Sequence, residues 1–167
     1  LDEGYDVVGC LSTMFENDIS RPLVTRARPE THEDIVKFAK KRTPFCHPAI
    51  VFRKSRVLAA GNYQHCLLFE DYNLWIRMIL SGARFYNIQV PLYYFRVSLD
   101  TIARRGGWKY MVNENKAMYY FYKIGFYSFS DLVRNVVIRS CVRMMPVKLR
   151  SRILHWSWYR QDRNRKR

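Results

Sequence analysis

Glu70 and Asp71 are adjacent carboxylates standing directly ahead of an apolar series, Leu74, Trp75, Met78 and Ile79, that closes at Ser81-Gly82. Those positions recur at i, i+1, i+4 and i+5, which predicts a short helix over 70–81 with one stripe toward a core. Gly82 is placed to take the left-handed conformation that ends it. A carboxylate at a helix N-terminus meets unpaired N–H groups and the positive end of the dipole, which hold it ionised near neutral pH. The neighbouring negative charge pulls the other way. Such a carboxylate can serve as a general base, and it can equally do no more than cap the helix. The stretch alone leaves both open.

Other reactive side chains form no compact set. Cys10, Cys46, Cys66 and Cys141 are scattered, with no CxxC pair and no Cys/His cluster at zinc-finger spacing. That pattern suits reduced thiols in a cytosolic setting better than a disulfide framework or a zinc site. His47 lies between Pro44 and Pro48 in a stiff connector, where it can be a ligand-facing residue or a hydrogen-bonded structural one.

The elements that must position these groups alternate in type. Residues 6–11 predict a short buried strand, 17–29 a loop, and Thr31 the start of a helix with a capping box closed by Asp34. A strand follows at 49–52 and a short helix at 54–60, closed by Gly61. The loop 64–69 delivers the acidic helix. Two further strands, 84–88 and 92–97, are separated by Pro91. This order predicts an α/β mixed sheet with flanking helices. Beyond Leu99 strand signals vanish, and helices are expected over about 108–124, 130–145 and 147–159, broken at Gly125 and Pro146.

At 167 residues, 49% hydrophobic and 16% aromatic, the chain is a folded domain rather than a disordered segment. Net charge of +15 with a pI near 10.0 implies a polyanionic partner: nucleic acid, anionic lipid or a phosphate-bearing substrate. Residues 139–167 hold ten Lys or Arg against one acid, Asp162, interleaved with Met144, Met145, Leu149, Ile153, Leu154, Trp156, Trp158 and Tyr159. A basic amphipathic helix of this kind fits an anionic membrane surface, or simply docks on its own domain. Nucleic acid is disfavoured, because zinc spacing, RNP-type patterns and a recognition-helix signature are all missing. There is no secretory signal and no apolar run of transmembrane length. The chain opens on Leu1 with a strand-like segment, which suggests that an N-terminal part of the protein lies outside it.

Four stretches in order carry a resemblance: 46–54 (Cys-His-Pro-Ala-Ile-Val-Phe-Arg-Lys), 57–63 (Val-Leu-Ala-Ala-Gly-Asn-Tyr), 69–77 (Phe-Glu-Asp-Tyr-Asn-Leu-Trp-Ile-Arg) and 92–97 (Leu-Tyr-Tyr-Phe-Arg-Val). Together they resemble the C-terminal half of bacterial family 2 glycosyltransferases, in particular the group that builds O-antigen, capsule and amylovoran-type exopolysaccharide. The resemblance implies a GT-A fold, with residues 1–98 as its acceptor-side half and 99–167 as a helical basic amphipathic region. It further implies a nucleotide-sugar donor and an inverting single displacement, a hexosyl transfer to a lipid-linked (undecaprenyl-diphosphate) saccharide. Asp71 then corresponds to the general base, Glu70 shapes the acceptor site, Trp75 packs beneath it, and His47 borders it. Arg53, Arg77 and Arg96 fall inside the matched stretches, where they can neutralise a leaving diphosphate or form structural ion pairs.

Two departures accompany the resemblance. The Asp-x-Asp motif that holds a divalent metal (Mn or Mg) is missing; Glu16-Asn17-Asp18 has its spacing but is expected in a loop. Ser98 stands where many relatives carry a metal-binding His, and serine is a poor ligand for such ions. The metal is therefore expected only for the full-length enzyme, with ligands outside this chain and with the isolated half inactive. The enzyme is expected to be cytoplasmic, peripheral on the inner face of the membrane. The alternative is a non-catalytic basic module that binds a membrane surface or nucleic acid.

Overall fold

The computed structural model describes the backbone of residues 1–165 and the side chains of 1–98 and 100–157. A mixed four-stranded sheet is built around β1 (Val7–Phe15), which is buried at every position but Val8. Near-continuous burial is what a strand covered on both faces requires. One edge of β1 pairs in parallel with β4 (Phe85–Arg96), from Val7 opposite Phe85 to Phe15 opposite Arg96. The other edge is shared by two short antiparallel strands. β3 (Ile50–Phe52) takes residues 7–9 and β2 (Val24–Arg26) takes residues 12–14.

The α/β class stands, with three local corrections. β1 extends to Phe15, past the expected end at residue 11, because Ser12 and Thr13 are buried in the sheet, Thr13 with its hydroxyl 2.9 Å from that of Thr25. Residues 24–26, expected in a loop, form β2. The two strands expected on either side of Pro91 are one. Pro91 falls where the register with β1 shifts on both sides of Leu11, and an irregular ladder tolerates its missing N–H.

Seven helices are described. α1 (His32–Ala39) is capped by Thr31, whose hydroxyl accepts the Asp34 N–H at 3.3 Å. α2 (Lys54–Ala59) leads to α3 (Glu70–Leu80), which ends at Gly82 with φ +79°. The short α4 (Leu99–Ala103), not expected, is capped by Ser98. α5 (Trp108–Lys123) and α6 (Phe129–Met144) form a hairpin over Gly125, and Ser128 and Asp131 close a capping box on α6. α7 (Val147–Arg165) follows Pro146.

α3 is the element around which the cores form. Leu74, Trp75 and Met78 pack against Val7 and Phe85 of the sheet, with Ile35 and Phe45. Phe69, Tyr72 and Ile76 join a second cluster with Met118 and Phe121 of α5 and with Phe126 and Tyr127. The parts before and after residue 98 thus share one apolar interior. α6 also clamps the end of α1: Asn135 Nδ2 and Arg134 Nη2 both donate to the Lys40 carbonyl at 2.9 Å. Those donors satisfy carbonyls that a helix C-terminus leaves open.

α7 docks on β2 and α4. Leu154 packs on the cluster of Met14, Val24, Val97 and Ile102. Arg150, buried, donates to the carbonyls of Ile102 at 2.8 Å and Ala103 at 3.3 Å. Leu149, Ile153 and Trp156 stay exposed, and the side chains of Trp158 and Tyr159 lie outside the described residues. Among the described residues no helix is long and apolar enough to cross a membrane.

Candidate functional site

Asp71 lies in the first turn of α3 and faces an open cleft of about 380 Å³. The sheet supplies one side through Ser12, Met14, Arg26 and Phe95. A second side is the connector from Arg42 to Pro48, and α4, α5, α6 and α7 close the third through Thr101, Tyr110, Glu114, Arg139, Arg143 and Leu154.

The carboxylate of Asp71 accepts the N–H of Tyr72 at 2.6 Å, so it engages the helix start while leaving oxygen lone pairs toward the cleft. Burial pushes its pKa up, and the charge of Glu70 adds to this. The Tyr72 N–H, His47 and Arg105 oppose, and the net direction is upward. The expected helix start is thus present, but desolvation, more than the adjacent acid, is what lifts the pKa. A raised pKa makes Asp71 a stronger base than a surface aspartate once it is ionised.

His47 borders the same cleft, its ring 6.0 Å from that of Trp75 and 6.2 Å from that of Tyr63. Its loop is held by Asn87, fully buried on β4, whose Nδ2 donates to the carbonyls of Pro29 at 2.8 Å and Pro44 at 3.4 Å. Gly9 makes room for this: a Cβ there would stand 2.3 Å from Asn87 Oδ1 and 2.6 Å from the Phe45 ring.

The remaining residues singled out from the motifs are placed differently. Trp75 is fully buried, against Phe45, Phe52 and His47, beneath the cleft rather than in its lining. Glu70 is solvent-exposed and outside the lining. Arg53 donates to the carbonyls of Leu1 at 2.7 Å and Tyr5 at 3.3 Å, and lies 3.8 Å from Asp6. Arg77 donates to Asn73 and to the carbonyls of Ala60 and Asn62, fastening the turn after α2 to α3. Arg96 sits over the Phe15 ring at 5.2 Å. None of these three arginines lines the cleft. Arg53 thus makes a structural ion pair, with Asp6, whereas Arg77 is held by the Asn73 side chain and by backbone carbonyls.

The guanidinium groups in the cleft are others: Arg26, Arg28, Arg42, Arg105, Arg139 and Arg143. Arg26 and Arg28 follow Val24 at alternate positions, a period-two signal hidden in a stretch whose prolines point to a loop. Arg139 and Arg143 close on the fully buried Glu114, Arg143 Nε at 2.6 Å from Oε2. Burial alone would raise the pKa of Glu114, but the Arg143 bond and the Arg139 charge outweigh it and hold the carboxyl below its usual range.

Glu16-Asn17-Asp18 lies in a loop, as expected, which with β1 extended begins directly at the strand's end. Asp18 is engaged there by Ser20, through its N–H at 2.9 Å and its hydroxyl at 2.8 Å. Among the described residues no three His, Cys, Asp or Glu side chains converge as metal ligands.

Chemically, then, the cleft sets a carboxylate of raised pKa among several guanidinium groups, an arrangement able to attract an anion and to accept a proton beside Asp71. Sequence comparison names the family. The chain is 39% identical over 123 residues to the UDP-Gal:alpha-D-GlcNAc-diphosphoundecaprenol beta-1,3-galactosyltransferase of Escherichia coli, covering 74% of this chain and 45% of that one. It is 37% identical over 124 residues to the amylovoran biosynthesis glycosyltransferase AmsE of Erwinia amylovora, covering 72% and 46%. An uncharacterized glycosyltransferase of Haemophilus influenzae is 30% identical over 139 residues, covering 81% and 50%. No protein-family profile and no solved structure matches. The chain is a homologue of bacterial glycosyltransferases, as its motifs indicated, and it spans about half the length of the relatives it matches.

Proposed function

We propose that this chain is the acceptor-side half of an inverting family 2 glycosyltransferase of GT-A type, acting in bacterial surface polysaccharide synthesis. Residues 1–98 supply the sheet and the base, and 99–167 the helical basic region that closes the cleft. The donor is a nucleotide sugar and the acceptor a lipid-linked saccharide, the class named for the Escherichia coli relative. One observation carries the reading: in a glycosyltransferase homologue, the one carboxylate among the described residues of the cleft without an arginine at ion-pair distance is Asp71, at a helix start and with raised basicity.

In the reaction, an acceptor hydroxyl lies beside the Asp71 carboxylate, which takes its proton. The hydroxyl oxygen forms a bond to the anomeric carbon of the donor as the bond from that carbon to the diphosphate oxygen breaks. The nucleoside diphosphate leaves with the electron pair, and the anomeric configuration inverts. His47 and Tyr63 flank the acceptor side, while Trp75 holds the His47 ring from below. A divalent metal (Mn or Mg) belongs to the whole enzyme in this reading, with ligands outside the described residues. Exposed Leu149, Ile153 and Trp156 among the cations of α7 would rest on the anionic inner face of the cytoplasmic membrane, where a lipid-linked acceptor resides.

The test is sugar transfer by the full-length gene product from a nucleotide sugar to a short-chain lipid-diphosphate saccharide. Asp71→Asn is expected to lower the rate by roughly 10²–10⁴-fold, the span of general-base contributions. Transfer at the wild-type rate would remove Asp71 from the chemistry.

A further inference from the structure

The cleft holds more positive charge than its own acids can answer. Glu114 is taken up by Arg139 and Arg143. Among the described residues Arg26, Arg28, Arg42 and Arg105 have no carboxylate within ion-pair distance. Arg28 is only 7% exposed, and its one hydrogen bond runs from Nη1 to the neighbouring Ala27 carbonyl at 3.2 Å. The buried Nε atoms of Arg26 and Arg28 have no partner. Burial lowers both guanidinium pKa values; repulsion by Arg42 and Arg105 adds to it at Arg26, and repulsion by Arg26 and Arg42 adds to it at Arg28, to about 10 for Arg26 and about 9 for Arg28. Buried cations without counter-charge are unfavourable, and an anionic ligand would relieve that cost.

We propose that Arg26, Arg28 and Arg42, with Arg105 facing them, form a subsite for the diphosphate group of a substrate. β2 carries Arg26 opposite Ser12, and the strand's alternation brings Arg28 to the same side. Arg42 reaches the cleft from the end of α1, its guanidinium over the Phe38 ring at 5.3 Å, while that of Arg28 stands 5.7 Å from the same ring. Phe38 thus gives the two guanidinium groups a shared aromatic support. Four planar, multi-donor cations match the several oxygens and multiple charge of a diphosphate far better than those of a single carboxylate. The assignment rests on the proposed transferase reading for its substrate, and it moves the diphosphate-binding role from Arg53, Arg77 and Arg96 to groups that line the cleft with Asp71. A diphosphate could come from the acceptor lipid or from the nucleotide, and the chemistry at the guanidinium groups is the same.

The experiment is calorimetric titration of the 167-residue chain with inorganic pyrophosphate, farnesyl diphosphate and UDP, each without added metal. Pyrophosphate is expected to bind, and Arg26→Gln, Arg28→Met and Arg105→Gln are each expected to weaken it about tenfold or more. Arg105 is exposed, so its variant tests the subsite without disturbing the interior. Tighter binding of farnesyl diphosphate than of UDP would assign the subsite to the acceptor lipid, and the reverse to the nucleotide. Either order supports a diphosphate subsite. Asp71→Asn should bind pyrophosphate at least as well as wild type, so loss of transfer in that variant and loss of anion binding in the arginine variants are separate results. Absence of pyrophosphate binding at low salt, or binding that all three arginine variants leave unchanged, would overturn the proposal.

Discussion

Asp71 and Glu114 are both carboxylates in one cleft, yet their surroundings drive them in opposite directions, and the consequences for stability can be worked out. The Asp71 pKa is raised in the folded protein, so the folded state holds that proton more tightly than the unfolded chain does. Its contribution is fully present below the unfolded value and is lost as pH rises through the folded one. At neutral pH an ionised Asp71 therefore costs stability. Asp71→Asn is expected to melt at the same temperature as wild type or higher at pH 7, a result that thermal denaturation reads directly; a lower melting point would mark a structural carboxylate. Glu114 is the reverse case, with a depressed pKa and stability that is lost as pH falls through it. Glu114→Ala leaves Arg139 and Arg143 facing each other without an acid, at a cost of about 3 kcal/mol or more in urea unfolding. An unchanged midpoint would mean that the pair contributes nothing.

Among single side chains, the place of Asp71 at a helix start was readable because the apolar stripe behind it leaves a local signature. The cleft arginines were not. Arg26 ends a three-residue strand and Arg28 lies two residues beyond it, a strand too short for its alternation to stand out, and only pairing with residues 12–14 orients it.

The elements repeat this distinction between local and distant information. α3, α5 and α6 fall close to where their periodicity and caps place them, since Gly82, Gly125 and the Ser128–Asp131 box act within a few residues. β4 does not, because Pro91 looks like a break unless the register shift beside Leu11 is known. α4 is a single turn or so, and its Ser98 cap has no long apolar stripe behind it. The docking of α7 depends on another contact without a sequence signature. A Cβ on Gly106 would lie 1.7 Å from Arg150 Nη1 and 2.3 Å from its Cζ, inside the space that the guanidinium occupies. Gly106→Ala is thus expected to expel Arg150 from the carbonyls of Ile102 and Ala103, lowering stability by at least about 1.5 kcal/mol. Protease cleavage within α7 should become faster than in wild type. Wild-type stability with an undisturbed α7 would show that the contact is not needed.

Taken whole, the chain joins a mixed sheet to a helical region through a common interior, and the cleft exists only because both contribute to it. Composition alone pointed to an anionic partner, and the fold divides that positive charge between an inward set of arginines and an outward set on α7. These two sets should separate in experiment. Association with vesicles of phosphatidylglycerol is expected to fall steeply with salt and to weaken when Lys148 and Arg152, both exposed, are changed to Gln. Equal binding to neutral phosphatidylcholine vesicles would contradict an electrostatic membrane contact. The same double change should leave pyrophosphate binding in the cleft intact.

The claim on which the function rests is that one carboxylate at the start of α3 removes a proton from the acceptor. The pH dependence of kcat/KM for sugar transfer, wild type against Asp71→Asn, addresses it most directly. The wild-type rate should rise along an acidic limb set by a carboxyl whose pKa lies above that of an ordinary aspartate, and the variant should be slow with that limb gone. A variant that keeps both the wild-type rate and the same limb would show that the proton goes elsewhere.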